Sequence, residues 1–142
     1  LIQHSNFSGV EDEFLRAHRH YREGKLKEAI GAAGDAFEST MKSICDAQGW
    51  SYQDGARATD LVKLLRQNNL FPEYLDRSFD QLLAVLKTGL PAVRNQDGAH
   101  GQGKTKKRVP DHVAAYALHL AATNIVFLIE CLNDLPSHKN KK

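Results

Sequence analysis

The longest apolar segment of the chain lies at residues 110–133, with the sequence PDHVAAYALHLAATNIVFLIECLN. Pro110 suits the first turn of a helix, and the segment lacks the alternation typical of a β-strand. Apolar residues fall on almost every side of a helix drawn through it: Val113, Ala117, Leu120, Ile125, Leu128 and Leu132. We therefore predict a long helix that packs between several neighbours or lies at a subunit interface.

Glycine and proline residues predict the limits of four earlier helices. Gly24 ends the first helix, and Gly49 ends the second, which starts near Lys25. A short helix follows with Thr59 as its N-cap, and Pro72 occupies the first turn of the next helix. Because no segment shows a strand pattern, we predict an all-α fold, an antiparallel bundle of four main helices plus one or two short helices.

Local signals within the first two helices add further predictions. Ser5, Asn6 or Ser8 is available as the N-cap of the first helix. Gly31 and Gly34 lie inside the second helix, where glycine lowers helix propensity but allows close packing.

Length and composition favour one soluble domain. The chain has 142 residues, with 42% apolar and 25% charged residues and a formal net charge of +2. These values exclude a disordered or collagen-like chain and suit a single core. We expect a lead-in at residues 1–8, one helical domain at residues 9–135 and a basic, flexible tail at residues 136–142.

The cysteine residues and the length of the apolar runs indicate the cellular compartment of the protein. Cys45 and Cys131 lie far apart and form no CxxC pair, so we expect neither a disulfide framework nor a zinc ribbon. No uninterrupted apolar run reaches the roughly 18 residues that a bilayer demands. We expect a cytoplasmic protein without a membrane segment. The chain starts at Leu1 without a signal segment, which we interpret as a fragment from the C-terminal part of a longer protein.

Chemically capable residues are densest at residues 93–103, VRNQDGAHGQG. Arg94 offers a fixed cation whose planar fork of donors suits a phosphate, and His100 titrates near neutral pH. The glycines around His100 let a ligand approach the backbone closely. Together these groups could carry out phosphodiester chemistry. The alternative is a solvated turn in which Arg94 makes a surface ion pair.

This pattern resembles the signature of the HEPN superfamily, in which an Arg is followed after four to six residues by a His, often with Asn directly after the Arg. Arg94, Asn95 and His100 match all three positions. Further stretches look like the C-terminal domain of bacterial abortive-infection proteins: residues 36–44, 92–103, 112–122 and 127–129. The first stretch carries Glu38 and Lys42 one helical turn apart, as the early helix of that domain does.

The resemblance implies an all-α domain that dimerises, with two Arg-His motifs facing each other across the dimer axis. Active HEPN proteins are metal-independent endoribonucleases, which implies that His100 acts as general base or acid on the RNA. Arg94 would stabilise the charge on the phosphorane, and Asn95 would orient the phosphate or the His. Other relatives keep the fold without activity and serve as nucleotide-binding or interaction modules.

Two further charged groups are candidates for substrate binding. Glu38 and Lys42 are most simply an exposed pair that stabilises the second helix; following the family pattern, they instead line the site beside Arg94. The segment after the motif is basic because of four cations, Lys104, Lys106, Lys107 and Arg108. Such clustering fits an RNA backbone, and the alternative is a solvated loop kept basic for solubility.

Histidine pairs elsewhere do not predict a metal site. His18 and His20 are two residues apart on the first helix and cannot chelate from one face, so we expect them at the surface. His112 and His119 share a face of the last helix, but no carboxylate or cysteine stands at ligand spacing. We therefore expect neither a metal nor a cofactor.

The sequence thus predicts a metal-independent endoribonuclease domain of a phage-defence or toxin-like protein, acting on RNA as a homodimer. The rest of a longer chain and an antitoxin are its further expected partners. The alternative is a non-catalytic helical module that binds a nucleotide or mediates protein interaction and dimerisation.

Overall fold

The computed structural model describes residues 7–88 and 109–136. Within these ranges the chain forms five α-helices, one short 3₁₀ turn and no β-strand, which confirms the predicted all-α bundle. The helices are α1 (Ser8–Arg22), α2 (Leu26–Gln48), α3 (Ala58–Gln67), α4 (Asp76–Thr88) and α5 (Asp111–Asp134). The 3₁₀ turn, Glu73–Leu75, directly precedes α4.

Helix α2 is central to the bundle because it packs against both α1 and α5. One stripe of apolar residues on this helix is buried, with no member more than 1% exposed: Ile30, Ala33, Phe37, Met41 and Ile44. Each large side chain in such a stripe stabilises the fold by about 1.5–3 kcal/mol. The stripe therefore anchors the core on α2.

The two helix-ending glycines act as predicted. Gly24 and Gly49 have φ angles of 75° and 72°, a region that favours glycine because it has no Cβ. After Gly49 the backbone N–H of Trp50 donates to the carbonyl oxygen of Cys45 at 2.9 Å, which closes the last turn of α2. The chain therefore reverses after α1, and it leaves α2 into a connector formed by residues 50–57.

An aromatic cluster joins three helices in the core. The ring centroid of Phe79 in α4 lies 6.3 Å from that of Phe37 in α2 and 6.3 Å from that of Phe127 in α5. Phe71, just before the 3₁₀ turn, lies 4.4 Å from Phe79. Aromatic pairs at such distances add about 0.5–1.5 kcal/mol each beyond the burial of their area. Phe79 thus fixes α4 against both α2 and α5.

The predicted caps of α1 are wrong. The N-cap is Phe7, which makes no side-chain cap, and Ser8 is already the first helical residue. The other two candidates, Ser5 and Asn6, lie outside the described residues. Phe7 is 2% exposed, so burial of its ring, instead of a hydrogen bond from a polar side chain, fixes the start of α1.

The predicted cap of α3 is also wrong. The helix starts at Ala58 with Arg57 as its N-cap, so Thr59 lies inside the first turn. The Asp60 carboxylate accepts the backbone N–H of Arg57 at 3.0 Å. A carboxylate within the first turn therefore satisfies the N-cap, as in a capping box.

The close packing predicted at Gly34 is not found. A Cβ atom built on Gly34 would meet no heavy atom within 4 Å. Nothing packed against this position therefore requires glycine.

Helix α5 could cross a membrane by its length and composition. Eight of its residues are nevertheless buried in the bundle, mainly where it packs against α2. The core of a folded domain demands the same apolar residues. Packing within the chain is thus a sufficient reason for the composition of α5.

Candidate functional site

Glu38 and Lys42 form an ion pair on one face of α2. Lys42 Nζ lies 2.7 Å from Glu38 Oε1, and the two side chains are 33% and 35% exposed for Lys42 and Glu38 respectively. A spacing of four residues places side chains on neighbouring turns of the same face. The pair is therefore more enclosed than an ordinary exposed pair on a helix surface.

Two groups outside α2 act on Lys42. The hydrogen bond to Glu38 is the main cause that raises the pKa of Lys42; partial burial lowers it, and electrostatic interactions with Tyr52 and Glu13 raise it. Glu13 lies on α1, and its Oε2 atom is buried without a hydrogen-bond partner among the described residues. Lys42 therefore remains a cation at neutral pH in mainly acidic surroundings.

The turn after α2 brings Tyr52 to this face. The hydroxyl of Tyr52 donates to Asp46 Oδ1 at 3.0 Å, one helical turn beyond Lys42. Partial burial of Tyr52, followed by this hydrogen bond, raises the pKa of its hydroxyl. Tyr52 is therefore a neutral donor at neutral pH. We call Glu13, Glu38, Lys42, Asp46 and Tyr52 the Lys42 cluster.

The charge balance of the Lys42 cluster limits what it can bind. The cluster contains three carboxylates and one ammonium group, so it is negative overall. A phosphate would be repelled unless further cations entered beside Lys42. Carboxylates of this kind instead suit a guanidinium, which they bind through two parallel hydrogen bonds. The cluster is therefore equipped to orient a basic side chain next to Lys42.

The Arg-His motif lies outside the described residues. Arg94, Asn95 and His100 belong to residues 89–108, which connect α4 to α5. The same segment contains the four predicted RNA-binding cations, Lys104, Lys106, Lys107 and Arg108. Of the predicted site residues, the structure thus places Glu38 and Lys42 and brings these two together.

Neither cysteine is suited to act as a nucleophile. Cys45 is fully buried, and this burial raises the pKa of its thiol to about 11. Burial also raises the pKa of the Cys131 thiol. Because the thiolate is the reactive form, both side chains are inert near neutral pH.

The histidines of α1, predicted at the surface, are partly exposed and half-buried. The His18 ring lies 4.8 Å from the Phe14 ring, centroid to centroid, in an edge-on arrangement. His20 Nδ1 is buried without a hydrogen-bond partner in the described part of the chain. Across residues 7–88 and 109–136, no three His, Cys, Asp or Glu side chains converge in a group that could hold a metal ion.

Comparison with protein families matches residues 8–132 to Abi_C, a HEPN-like domain. The match includes both the Lys42 cluster and the Arg-His motif. The chain belongs to this family. The resemblance seen in the sequence is thereby confirmed, and the protein contains a helical domain related to abortive infection. Comparison with curated proteins and with solved structures gave no match.

Sequence reasoning missed three members of the Lys42 cluster in this HEPN-like domain: Glu13, Asp46 and Tyr52. Glu13 does leave a signal, because it shares a helical face with Val10 and Ala17, the buried residues of α1. A carboxylate on a packed face needs a partner and so indicates a site. Tyr52 leaves no comparable signal, because its position depends on how the chain turns after Gly49.

Proposed function

We propose that this HEPN-like domain is the metal-independent endoribonuclease effector of a phage-defence or toxin-like protein. The observation that carries the proposal is that the family match at residues 8–132 spans a complete Arg94, Asn95 and His100 motif. The domain acts in the cytoplasm as a homodimer. An antitoxin is its proposed further partner.

In the proposed reaction, the 2′-hydroxyl of the RNA is the nucleophile. His100 serves as general base or acid, taking the proton of the 2′-hydroxyl or protonating the leaving 5′-oxygen. Arg94 stabilises the negative charge that develops on the phosphorane, and Asn95 orients the phosphate or His100. The products are a 2′,3′-cyclic phosphate and a 5′-hydroxyl. DNA lacks the nucleophile and is not cleaved.

The Lys42 cluster supports the proposed site through its charge. Its carboxylates favour a second cation beside Lys42, and Arg94 is the cation that the motif supplies. Glu38 and Glu13 then orient the guanidinium toward the scissile phosphate, while Lys42 offsets part of the charge of the carboxylates. Glu38, Glu13 and Lys42 are therefore positioning residues. The four cations of the basic segment hold the RNA backbone.

The first prediction concerns the chemistry of cleavage. Single-stranded RNA is cleaved in the presence of EDTA, and mass spectrometry of the products finds 2′,3′-cyclic phosphate ends. Arg94→Ala and His100→Ala each lower the rate at least about 100-fold, the usual scale for the loss of a charge stabiliser or an acid-base group. Circular dichroism checks that both variants keep the helical content of the parent domain.

Two outcomes contradict this proposal. Products with a 3′-hydroxyl end, or cleavage that requires added Mg²⁺, would show a different mechanism. Expression in growing cells separates the nuclease from a non-catalytic helical module: the nuclease slows growth and His100→Ala relieves the effect, whereas equal growth with both proteins indicates the module.

A further inference from the structure

A groove lies between the connector and α3, beside the Lys42 cluster. Its volume is about 400 Å³, within the range of small-molecule sites. Ala56, Leu61 and Leu64 contribute its apolar lining, and Tyr52 lines it as well. Because the Tyr52 hydroxyl bonds to Asp46, the groove and the Lys42 cluster share one side chain.

The polar side chains that line the groove can form hydrogen bonds, and their charges sum to zero. Gln53 and Gln67 are exposed and line the groove, and each side-chain amide can both donate and accept hydrogen bonds. Asp60 uses one carboxylate oxygen to accept the backbone N–H of Arg57, and its other oxygen makes no such bond. Lys63 balances the charge of Asp60. The groove therefore offers donors and acceptors to a neutral ligand.

These features select a class of ligand. A free phosphate gains little from a lining without net positive charge, and a purely apolar group would leave the amides and Asp60 without partners. A nucleobase is planar and neutral, and it carries donors and acceptors along its edges. Gln amides and Asp carboxylates pair with base edges, and an aromatic ring such as that of Tyr52 can stack on the face of a base.

We infer that this groove binds a single unpaired nucleobase. If the base belongs to RNA, it is part of the strand that is cleaved, and the inference then rests on the proposed function. A free nucleotide presents the same kind of base to the groove.

The test titrates the full chain with AMP and with ribose 5-phosphate, which lacks a base. Trp50 is the single tryptophan of the chain and lies two residues from Tyr52, so its fluorescence reports binding. Gly55 lines the groove, and a Cβ there would meet no heavy atom within 4 Å, so Gly55→Leu adds a bulky side chain at the groove lining without a clash. A Cβ at Gly9 meets equally open space, which makes Gly9→Leu the matched control.

We expect AMP to change the fluorescence with saturation and ribose 5-phosphate to leave it unchanged. Gly55→Leu should raise the Kd for AMP at least about tenfold, the scale of losing one stacked base, and Gly9→Leu should leave the Kd unchanged. Equal responses to AMP and ribose 5-phosphate, or an unchanged Kd in Gly55→Leu, would overturn the inference. None of these measurements requires cleavage, so a failure of this inference is distinguishable from a failure of the nuclease proposal.

A second arm identifies the source of the base. Single-stranded RNA is bound to His100→Ala, which prevents cleavage during the measurement, with and without Gly55→Leu. Weaker RNA binding in the double variant assigns the groove to the substrate strand. Unchanged RNA binding together with weakened AMP binding assigns the groove to a free nucleotide.

Discussion

Lys42 takes its properties from three segments of the chain: Glu38 on α2, Glu13 on α1 and Tyr52 on the connector. An exposed pair four residues apart on a helix is worth about 0.3–0.5 kcal/mol. Because folding raises the pKa of Lys42, the ion pair makes its full contribution to stability at neutral pH. That contribution is lost only when the pH rises above the ordinary pKa of lysine and through the raised pKa of the folded state. At pH 7 the effect of the Glu38–Lys42 pair on stability can therefore be measured separately from its effect on RNA cleavage.

The second prediction uses Glu38→Gln to separate the effect on stability from the effect on cleavage. The free energy of unfolding should fall by no more than about 0.5 kcal/mol, as for a helix-surface pair. The rate of RNA cleavage should fall at least about tenfold, because Arg94 loses a carboxylate that orients it. Denaturant unfolding and cleavage assays measure the two effects on the same protein.

The matched control is Asp35→Asn, which breaks the more exposed pair of Asp35 with Arg16 at 3.1 Å. It should change stability as little as Glu38→Gln does and leave cleavage unaltered. If Glu38→Gln cleaves RNA as fast as the parent domain, the pair only stabilises α2 and does not belong to the site.

The sequence predicts the members of this cluster unevenly, for a physical reason. Helix geometry is local, so a spacing of four residues sufficed to pair Glu38 with Lys42. Glu13 joins them because α1 packs against α2, and Tyr52 joins them because the chain turns after Gly49. Such tertiary placement leaves no fixed spacing in the sequence.

At the scale of helices, the sequence predicts the helix limits that depend on backbone preferences, but it does not predict the side-chain caps. Gly24, Gly49 and Pro110 mark helix limits in the sequence and in the structure, because their backbone preferences do not depend on neighbours. The N-cap of α1 depends instead on where Phe7 is buried. Burial of an aromatic ring outweighs the roughly 1 kcal/mol that a polar cap contributes.

The third prediction uses the open space at Gly34. Since nothing lies within 4 Å of an added Cβ, Gly34→Ala should gain helix propensity without a steric cost. The free energy of unfolding should rise by about 0.5–1 kcal/mol, measured by denaturant unfolding. A loss of stability would instead reveal packing against this position.

The fourth prediction concerns the basic segment between α4 and α5. If Lys104, Lys106, Lys107 and Arg108 contact phosphates, RNA affinity falls steeply with salt, because binding releases counterions. Neutralising two of them should flatten the slope of log affinity against log salt by roughly 1.5 to 2 units. Fluorescence anisotropy with labelled RNA measures the slope. An unchanged slope would assign these residues to solubility.

At the scale of the whole molecule, α5 has more apolar surface than the bundle covers. Its inner face packs on α2, while Tyr116 is 57% and Val126 is 42% exposed. A shallow groove runs past Val126 and Phe127 on this outer side. The sequence predicted a surplus of apolar surface on this helix, but which side stays uncovered follows from how α2 packs against it.

The fifth prediction is that this outer face of α5 joins two copies of the chain. An isologous dimer places the same patch on both subunits, and a stable one buries about 800 Å² on each. Light scattering at tens of micromolar should therefore return twice the mass of the chain. Val126→Asp should give a folded monomer, because it puts a charge into the interface at an exposed position.

Leu15→Asp is the control, since Leu15 is 55% exposed on a different helix, α1, and should leave the dimer intact. A monomer at this concentration in the parent protein would contradict the prediction. Cleavage assays on the Val126→Asp monomer then test whether the site needs both chains. If the two Arg-His motifs act together across the axis, the monomer loses RNA cleavage along with dimerisation. A monomer that cleaves at the full rate would show that each chain holds a complete site, because then Arg94 and His100 need nothing from a partner.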